Sequence, residues 1–212
     1  MSLLVKAVLF CGLLQPVSTL RCFYCSQFDS QPCREEEKDC SSSETSCLAA
    51  TATTTFTAGG ITNASVKTCV VPPVCGGPIS INLGFLRTTV AMECCSTDLC
   101  NTAPFPAPYK DTTPNGRQCF TCVDNNCTKK LNCLGNEDRC FHASVVFAEG
   151  QASTVKGCLS QYACTKGALT VLDATLNGEV RCCKGSLCNS AWHAGQQLFL
   201  LLVSLASIQL FF

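Results

Sequence analysis

The sequence predicts an all-β, disulfide-rich protein built as two tandem modules, and three observations predict it. Twenty-one of the 212 residues are cysteine, a density far above ordinary globular usage that points to an oxidising compartment. One pattern of cysteine spacing runs through the chain twice. The segments between cysteines are β-prone, punctuated by turn residues and free of sustained helical periodicity.

Both ends of the chain are apolar. The stretch MSLLVKAVLFCGLLQPVST (1–19) has one lysine, a short apolar run and small residues near its end, the pattern of a secretory signal peptide cleaved near Thr19. Its apolar run falls short of the roughly 20 residues a membrane span needs. Cys11 leaves with it, so 20 cysteines remain, an even number. At the other end, LFLLLVSLASIQLFF (198–212) follows the polar spacer WHAGQQ and the small trio Asn189, Ser190 and Ala191, and no basic residue follows it. Small residues, a spacer and an apolar tail make up the signal for a glycosylphosphatidylinositol (GPI) anchor, with 190–212 removed. Attachment is expected at Asn189, or at Ser190.

The 20 cysteines divide into ten and ten. The first set is Cys22, Cys25, Cys33, Cys40, Cys47, Cys69, Cys75, Cys94, Cys95 and Cys100. The second is Cys119, Cys122, Cys127, Cys133, Cys140, Cys158, Cys164, Cys182, Cys183 and Cys188. Each set opens C-x2-C and ends C-C-x4-C-N, and matching gaps recur between, which reads as an internal duplication. Domains are therefore expected at 20–101 and 119–189. The segment between them, 102–118, holds Pro104, Pro106, Pro108 and Pro114 and reads as an extended, protease-sensitive linker joining separately stable modules. Modules this small rarely hold together on one apolar core alone. Closing a loop of about 15 residues contributes on the order of 3 kcal/mol in the chain-entropy picture, so five bridges per module can dominate stability.

Within the modules, CLAATATTTFTAGGITNASVKTC (47–69) is threonine-rich and broken at Gly59 and Gly60, which predicts a hairpin. CFHASVVFAEGQASTVKGC (140–158) predicts another, turned near Gly150. Asn177-Gly178 signals a turn in the last long loop. Sequence alone leaves the connectivity of ten cysteines open.

With L-x-C-x2-C at 20–25, C-C-x4-C-N ending both modules, and PNGRQCFTC and TVKGC in the second, the chain resembles the LU superfamily of lymphocyte-antigen-6 and urokinase-receptor domains. The resemblance covers residues 20–189 and implies the three-finger fold of snake toxins in each module. It implies the pairs Cys22–Cys47, Cys25–Cys33, Cys40–Cys69, Cys75–Cys94 and Cys95–Cys100, then Cys119–Cys140, Cys122–Cys127, Cys133–Cys158, Cys164–Cys182 and Cys183–Cys188. It also implies that Asn101 and Asn189 plug the disulfide knot by hydrogen bonding, which gives Asn189 two competing roles.

No enzymatic activity, cofactor or metal is expected. CFYC and CFTC match redox C-x2-C spacing but lack the α/β surroundings a catalytic pair uses, and an even cysteine count in a secreted chain favours disulfides over zinc. The two histidines are His142 and His193, the second falling in the anchor signal, so no Ser-His-Asp arrangement is supported. REEEKD (34–39) reads as a solvated loop. Sequons at Asn63 and Asn126 mark candidate glycosylation sites. The formal net charge is zero and 14% of residues are charged, which excludes the electrostatic footprint of a nucleic-acid binder.

The expected protein is a GPI-anchored glycoprotein on the outer face of the plasma membrane that binds an extracellular or cell-surface protein through its fingers. Alternatives are a secreted inhibitor like the snake-serum phospholipase inhibitors, or a toxin-like modulator of acetylcholine receptors. Urokinase itself is not expected as ligand, since its receptor builds the binding cavity from three modules.

Overall fold

The computed structural model describes residues 19–28, 32–124, 126–146, 152–164 and 180–190. The signal peptide, the turn at Gly150, the Asn177-Gly178 turn and residues 191–212 lie outside them. The first module has three hairpins: β1 (Arg21–Phe28) with β2 (Glu36–Asp39), β3 (Ser46–Phe56) with β4 (Ile61–Val70), and β5 (Ile79–Asn82) with β6 (Leu86–Cys95). The second has β7 (Pro114–Val123) with β8 (Asn126–Leu134), β9 (Arg139–Val146) with β10 (Ala152–Leu159), and β11 (Val180–Cys183) beside β9. Gly59 and Gly60 both have positive φ, 92° and 109°, the conformation for which glycine is suited at the β3–β4 turn.

Ten disulfides hold the fingers at their bases, with Cys94 and Cys182 closing the third fingers and Cys95 and Cys183 closing the terminal loops. Their neighbours divide as Cys22–Cys47, Cys25–Cys33 and Cys40–Cys69 in the first module and Cys119–Cys140, Cys122–Cys127 and Cys133–Cys158 in the second. Adjacent cysteines thus serve different loops because alternate side chains of a strand leave on opposite faces. Leu99 and Leu187, each just before the last cysteine, share a left-handed φ of 54° and 59°. Each turns its amide back to the first strand of its module, Leu99 N–H to the Arg21 carbonyl and Leu187 N–H to the Gln118 carbonyl, both at 2.7 Å.

The modules are not independent units on a tether. A nine-stranded sheet runs through both in the order β11-β9-β10-β5-β6-β3-β4-β1-β2. Its crossing point pairs Cys158 with Asn82 and Leu159 with Ile81. Gly157 permits the approach, because a Cβ there would overlap the Asn82 carbonyl oxygen. Ser160 N–H donates to the Ser80 carbonyl at 2.9 Å and the Thr121 hydroxyl to the Leu83 carbonyl at 2.6 Å. Tyr162 donates to the Pro73 carbonyl and packs over Gly76. One apolar cluster, with Ile79 from the first module and Phe141, Ala143, Leu159 and Ala163 from the second, spans the boundary.

Also at this boundary is Glu137, with no exposed surface. It accepts from Ser80 Oγ (2.7 Å), Asn82 Nδ2 (3.2 Å), Arg87 Nε (2.6 Å) and the Leu134 amide (2.9 Å). Both carboxylate oxygens are used, as a buried charge requires. The loop carrying it is braced by Asn115, whose Nδ2 donates to the carbonyls of Gly135 and Glu137, each at 3.0 Å.

The expectation of a loose linker is corrected in the same region. Residues 114–118 belong to β7, and the preceding stretch lies across one face of the first module's sheet. Lys67 Nζ donates to the Thr102 carbonyl at 3.3 Å, Thr89 Oγ1 to the Tyr109 carbonyl at 2.9 Å and Arg87 Nη2 to the Asp111 carbonyl at 2.8 Å. A proline-rich segment has few amide donors but keeps its carbonyl acceptors, and this sheet face supplies side-chain donors to meet them. The contact explains how Thr51, Lys67 and Thr89 come to be buried polar residues.

Candidate functional site

The opposite face of the same sheet is open. Alternate residues of β3 (Leu48, Ala50, Ala52), β4 (Ala64, Val66) and β6 (Thr88, Val90, Met92) line a cavity of about 280 Å³, closed at one side by Val74 and Ile79. Phe28 stands at its rim, 68% exposed. The space exists because Ala50, Ala52 and Ala64 are small where a strand facing a filled core would carry larger side chains. Ser26, Ser65 and Thr88 supply the polar lining. Such a surface can take apolar side chains away from water.

The signal for this groove was present in the run AATATT (49–54) of β3. A period-2 strand there sends Ala50 and Ala52 to one face and Thr51 and Thr53 to the other. Threonine content suggests a strand, but the alternation itself carries the information about the two faces.

The other expected site residues fall as follows. Asn101, 4% exposed, accepts the Phe23 amide and donates to the carbonyls of Phe23 and Leu48; Asn189, also 4% exposed, does the same with Phe120 and Phe141. Ser190 beside it is exposed. Asn63 is exposed on β4, its Oδ1 accepting the Thr53 hydroxyl at 2.8 Å. Asn126 is exposed at the start of β8, where its Oδ1 accepts both the amide and the hydroxyl of Thr128, at 3.0 and 2.6 Å.

In CFYC and CFTC the two cysteines go to different partners, Cys22 to Cys47 and Cys25 to Cys33, Cys119 to Cys140 and Cys122 to Cys127. Neither motif is a dithiol. The sulfur groups close enough to suggest a metal, such as Cys22, Cys40 and Cys69, consist of disulfide sulfurs without a thiolate to offer. REEEKD contains the strand β2, not only a loop: Glu37 pairs with Arg21 at 3.1 Å, and Glu35 with the buried Lys67 at 2.7 Å. His142 lies on β9 between Lys156 of β10 and Arg181 of β11. Burial, then the charges of Lys156 and Arg181, hold its imidazole below the ordinary histidine range.

Two family descriptions match in tandem, "Snake toxin and toxin-like protein" over residues 20–101 and "u-PAR/Ly-6 domain" over 115–191. The chain belongs to the Ly6/uPAR superfamily. Among curated relatives of these Ly6/uPAR modules, the mouse urokinase plasminogen activator surface receptor is 32% identical over 131 residues, 58% of this chain and 39% of the receptor. Rat Ly6/PLAUR domain-containing protein 3 is 26% identical over 133 residues, 52% of this chain and 37% of that protein. The chain therefore spans under two-fifths of the length of these relatives. The crystal structure of mouse TEX101 covers 77% of this chain and 97% of its own at 16% identity and a TM-score of 0.29. The Ly6/uPAR modules are receptor-like and generally non-enzymatic.

Proposed function

We propose that this protein is a GPI-anchored cell-surface receptor or adhesion protein that binds an extracellular protein in the groove of its first Ly6/uPAR module. The observation that carries the reading is the asymmetry of one sheet. One face is sealed by the 102–111 segment, and the other keeps an apolar concavity open beside an exposed Phe28. A rigid disulfide frame loses little conformational entropy on binding, which favours recognition by shape.

In this reading 1–19 is the signal peptide, 20–101 and 119–189 are the two modules, and 190–212 is the anchor signal. Burial of the Asn189 carboxamide and exposure of Ser190 favour Ser190 as the attachment residue. Exposed Asn63 and Asn126 are the glycan sites. Urokinase is not carried over as the ligand, since the chain matches 39% of the mouse receptor.

Two experiments test this. Phosphatidylinositol-specific phospholipase C should release the protein from intact cells; retention on the membrane overturns the anchor. Cell-surface ligands captured by the released protein should be lost from Ala52→Arg and Ala64→Arg, which fill the groove, and kept by Lys130→Glu outside it. Equal capture by all three variants moves the binding surface elsewhere.

A further inference from the structure

The two modules are copies, so the start of one can be set against the start of the other. Gln118, just before the first cysteine of the second module, donates its amide to Ser186 Oγ at 3.3 Å; Arg21, its counterpart in the first, donates its amide to Asp98 Oδ1 at 3.0 Å. Ser186 and Asp98 each stand two residues before the last cysteine of their module. A neutral hydroxyl serves this amide in one copy, so the bond does not explain the negative charge of Asp98 in the other.

Glu44 is a second acid in the same place. It stands three residues before Cys47, as Glu137 stands three before Cys140, and the two turns are alike: the Ser41 amide donates to Glu44 Oε2 at 3.0 Å and the Leu134 amide to Glu137 Oε2 at 2.9 Å. Glu137 has Arg87 to balance its charge. Among the described residues no cation is in bonding distance of Glu44 or Asp98. The Ser41 amide, then its hydroxyl, hold the Glu44 carboxyl below the ordinary range and keep it ionised. Of the nearest cations, Arg21 pairs with Glu37 at 3.1 Å and stands opposite Asp39, and Lys38, which reaches Glu44 only through space, lies over the Tyr24 ring at 4.7 Å.

The two acids line one open cleft of about 490 Å³, together with Ser41, Thr97 and the chain itself at Thr19 and Leu20. Leu20 is pinned there by its carbonyl, which accepts the Cys40 amide at 2.8 Å. Its nitrogen lies no more than about 3.6 Å along the backbone from the Arg21 amide that Asp98 holds. In the second module the nitrogen at this position belongs to Arg117, a peptide amide that donates to Asn115 Oδ1, two residues upstream, at 3.0 Å. The matching position in the first module is Ser18, within the signal peptide. Cleavage after Thr19 removes that upstream residue and converts the Leu20 nitrogen into an ammonium with three donors.

We propose that Asp98 and Glu44 form a site for a primary ammonium, the α-amino group that signal cleavage creates on Leu20. The inference rests on the reading of 1–19 as a signal peptide. Bonds from an ammonium to carboxylates are charge-assisted, and this donor is already positioned by the backbone. Maturation thereby becomes part of folding: before the cut the 19–20 peptide is neutral and the site lacks its cation, and after it the base of the module that carries the groove is complete.

The full chain is expressed in animal cells and the processed protein purified. Mass spectrometry of its N-terminal peptide identifies the first residue, and the pH profile of that peptide's acetylation rate in the folded protein gives the α-amino pKa. Leu20 should come first, with a pKa about half a unit or more above the ordinary 7.7–8.0. A group whose pKa is raised by folding contributes its stability below the unfolded value and loses it as pH rises through the folded one. Thermal stability should therefore fall more steeply from about pH 7.5 to 9.5 than in protein acetylated at Leu20 alone. Asp98→Ser, which places the second module's residue in the first, should keep the Arg21 amide bonded and return the amine to its ordinary value; Glu44→Gln should lower it in part. An ordinary pKa in the wild type, or one that both substitutions leave unchanged, overturns the site while the signal reading stands. Acetylated wild type needs no substitution to fold, and a melting temperature equal to that of untreated protein at every pH also overturns it. A first residue other than Leu20 defeats the signal boundary, and the site falls with it.

Discussion

Arg87 of the first module donates its Nε–H to the carboxylate of Glu137 in the second at 2.6 Å, and neither side chain has more than 11% of its surface exposed. Around this pair the two modules become one body. Glu137 also collects Ser80 and Asn82, so three donors from the third finger of one module converge on one acid of the other.

Glu137→Ala should cost about 3–5 kcal/mol, because it leaves the Arg87 charge buried and unpaired. The loss should show as undocking rather than unfolding, since all ten disulfides persist. Amide exchange will check it: protection should fall at Ser80–Asn82 and Cys158–Leu159 while the β3–β4 hairpin keeps its own.

Gly157→Ala should separate the same strands by steric means, its Cβ meeting backbone at Asn82, whereas Gly76→Ala meets only the ring of Tyr162, a side chain that can turn. The glycine at 157 should therefore be the more costly to replace, as read from thermal unfolding of both variants. Equal effects would show that the β10–β5 approach is not tight.

The segment 102–113 should resist proteases in the intact protein despite its four-proline neighbourhood. Lys67, Thr89 and Arg87 hold its carbonyls against the sheet, and proteolysis requires the backbone to open. Arg87→Ala combined with Thr89→Val should open it to limited digestion. Prompt cleavage of the wild type into two stable modules would instead support a free linker.

Asn101→Ala and Asn189→Ala should each leave three backbone groups without their partner, one of them buried, the Leu48 or Phe141 carbonyl, which alone costs about 1–3 kcal/mol. Denaturant midpoints of the two variants should fall by similar amounts, since the plugs are copies of each other.

His142 sets a pH dependence for the anchor-free protein. Its folded-state affinity for protons lies below the ordinary value, by burial and by the neighbouring Lys156 on β10 and Arg181 on β11. As pH falls through about 6.5, the unfolded chain takes up the proton first. Stability therefore declines from there until the folded imidazole also protonates. His142→Asn should flatten that part of the profile in denaturation measured between pH 7.5 and 5. A profile unchanged by the substitution would show that His142 is not its source.

Cysteine spacing, turn glycines and terminal hydropathy are local properties of the chain, and they were enough to predict two copies of an all-β, disulfide-braced module with hairpins at 47–69 and 140–158. The Asn101 and Asn189 plugs were legible through family resemblance, because C-C-x4-C-N is contiguous in sequence. The docking of the modules was not legible in that way. Glu137 is an ordinary acid in a turn until Ser80, Asn82 and Arg87, at least 50 residues away, arrive around it. Gly157 reads as a weak point in a strand until the Asn82 carbonyl lies where its Cβ would be. Prolines suggest a free linker when considered alone, and become a bound segment only when a neighbouring sheet offers donors to their carbonyls. Covalent staples and period-2 patterning act over a few residues and can be read in order. Buried charge, close backbone approach and shared apolar surface depend on what folds against them, and only the tertiary structure decides that.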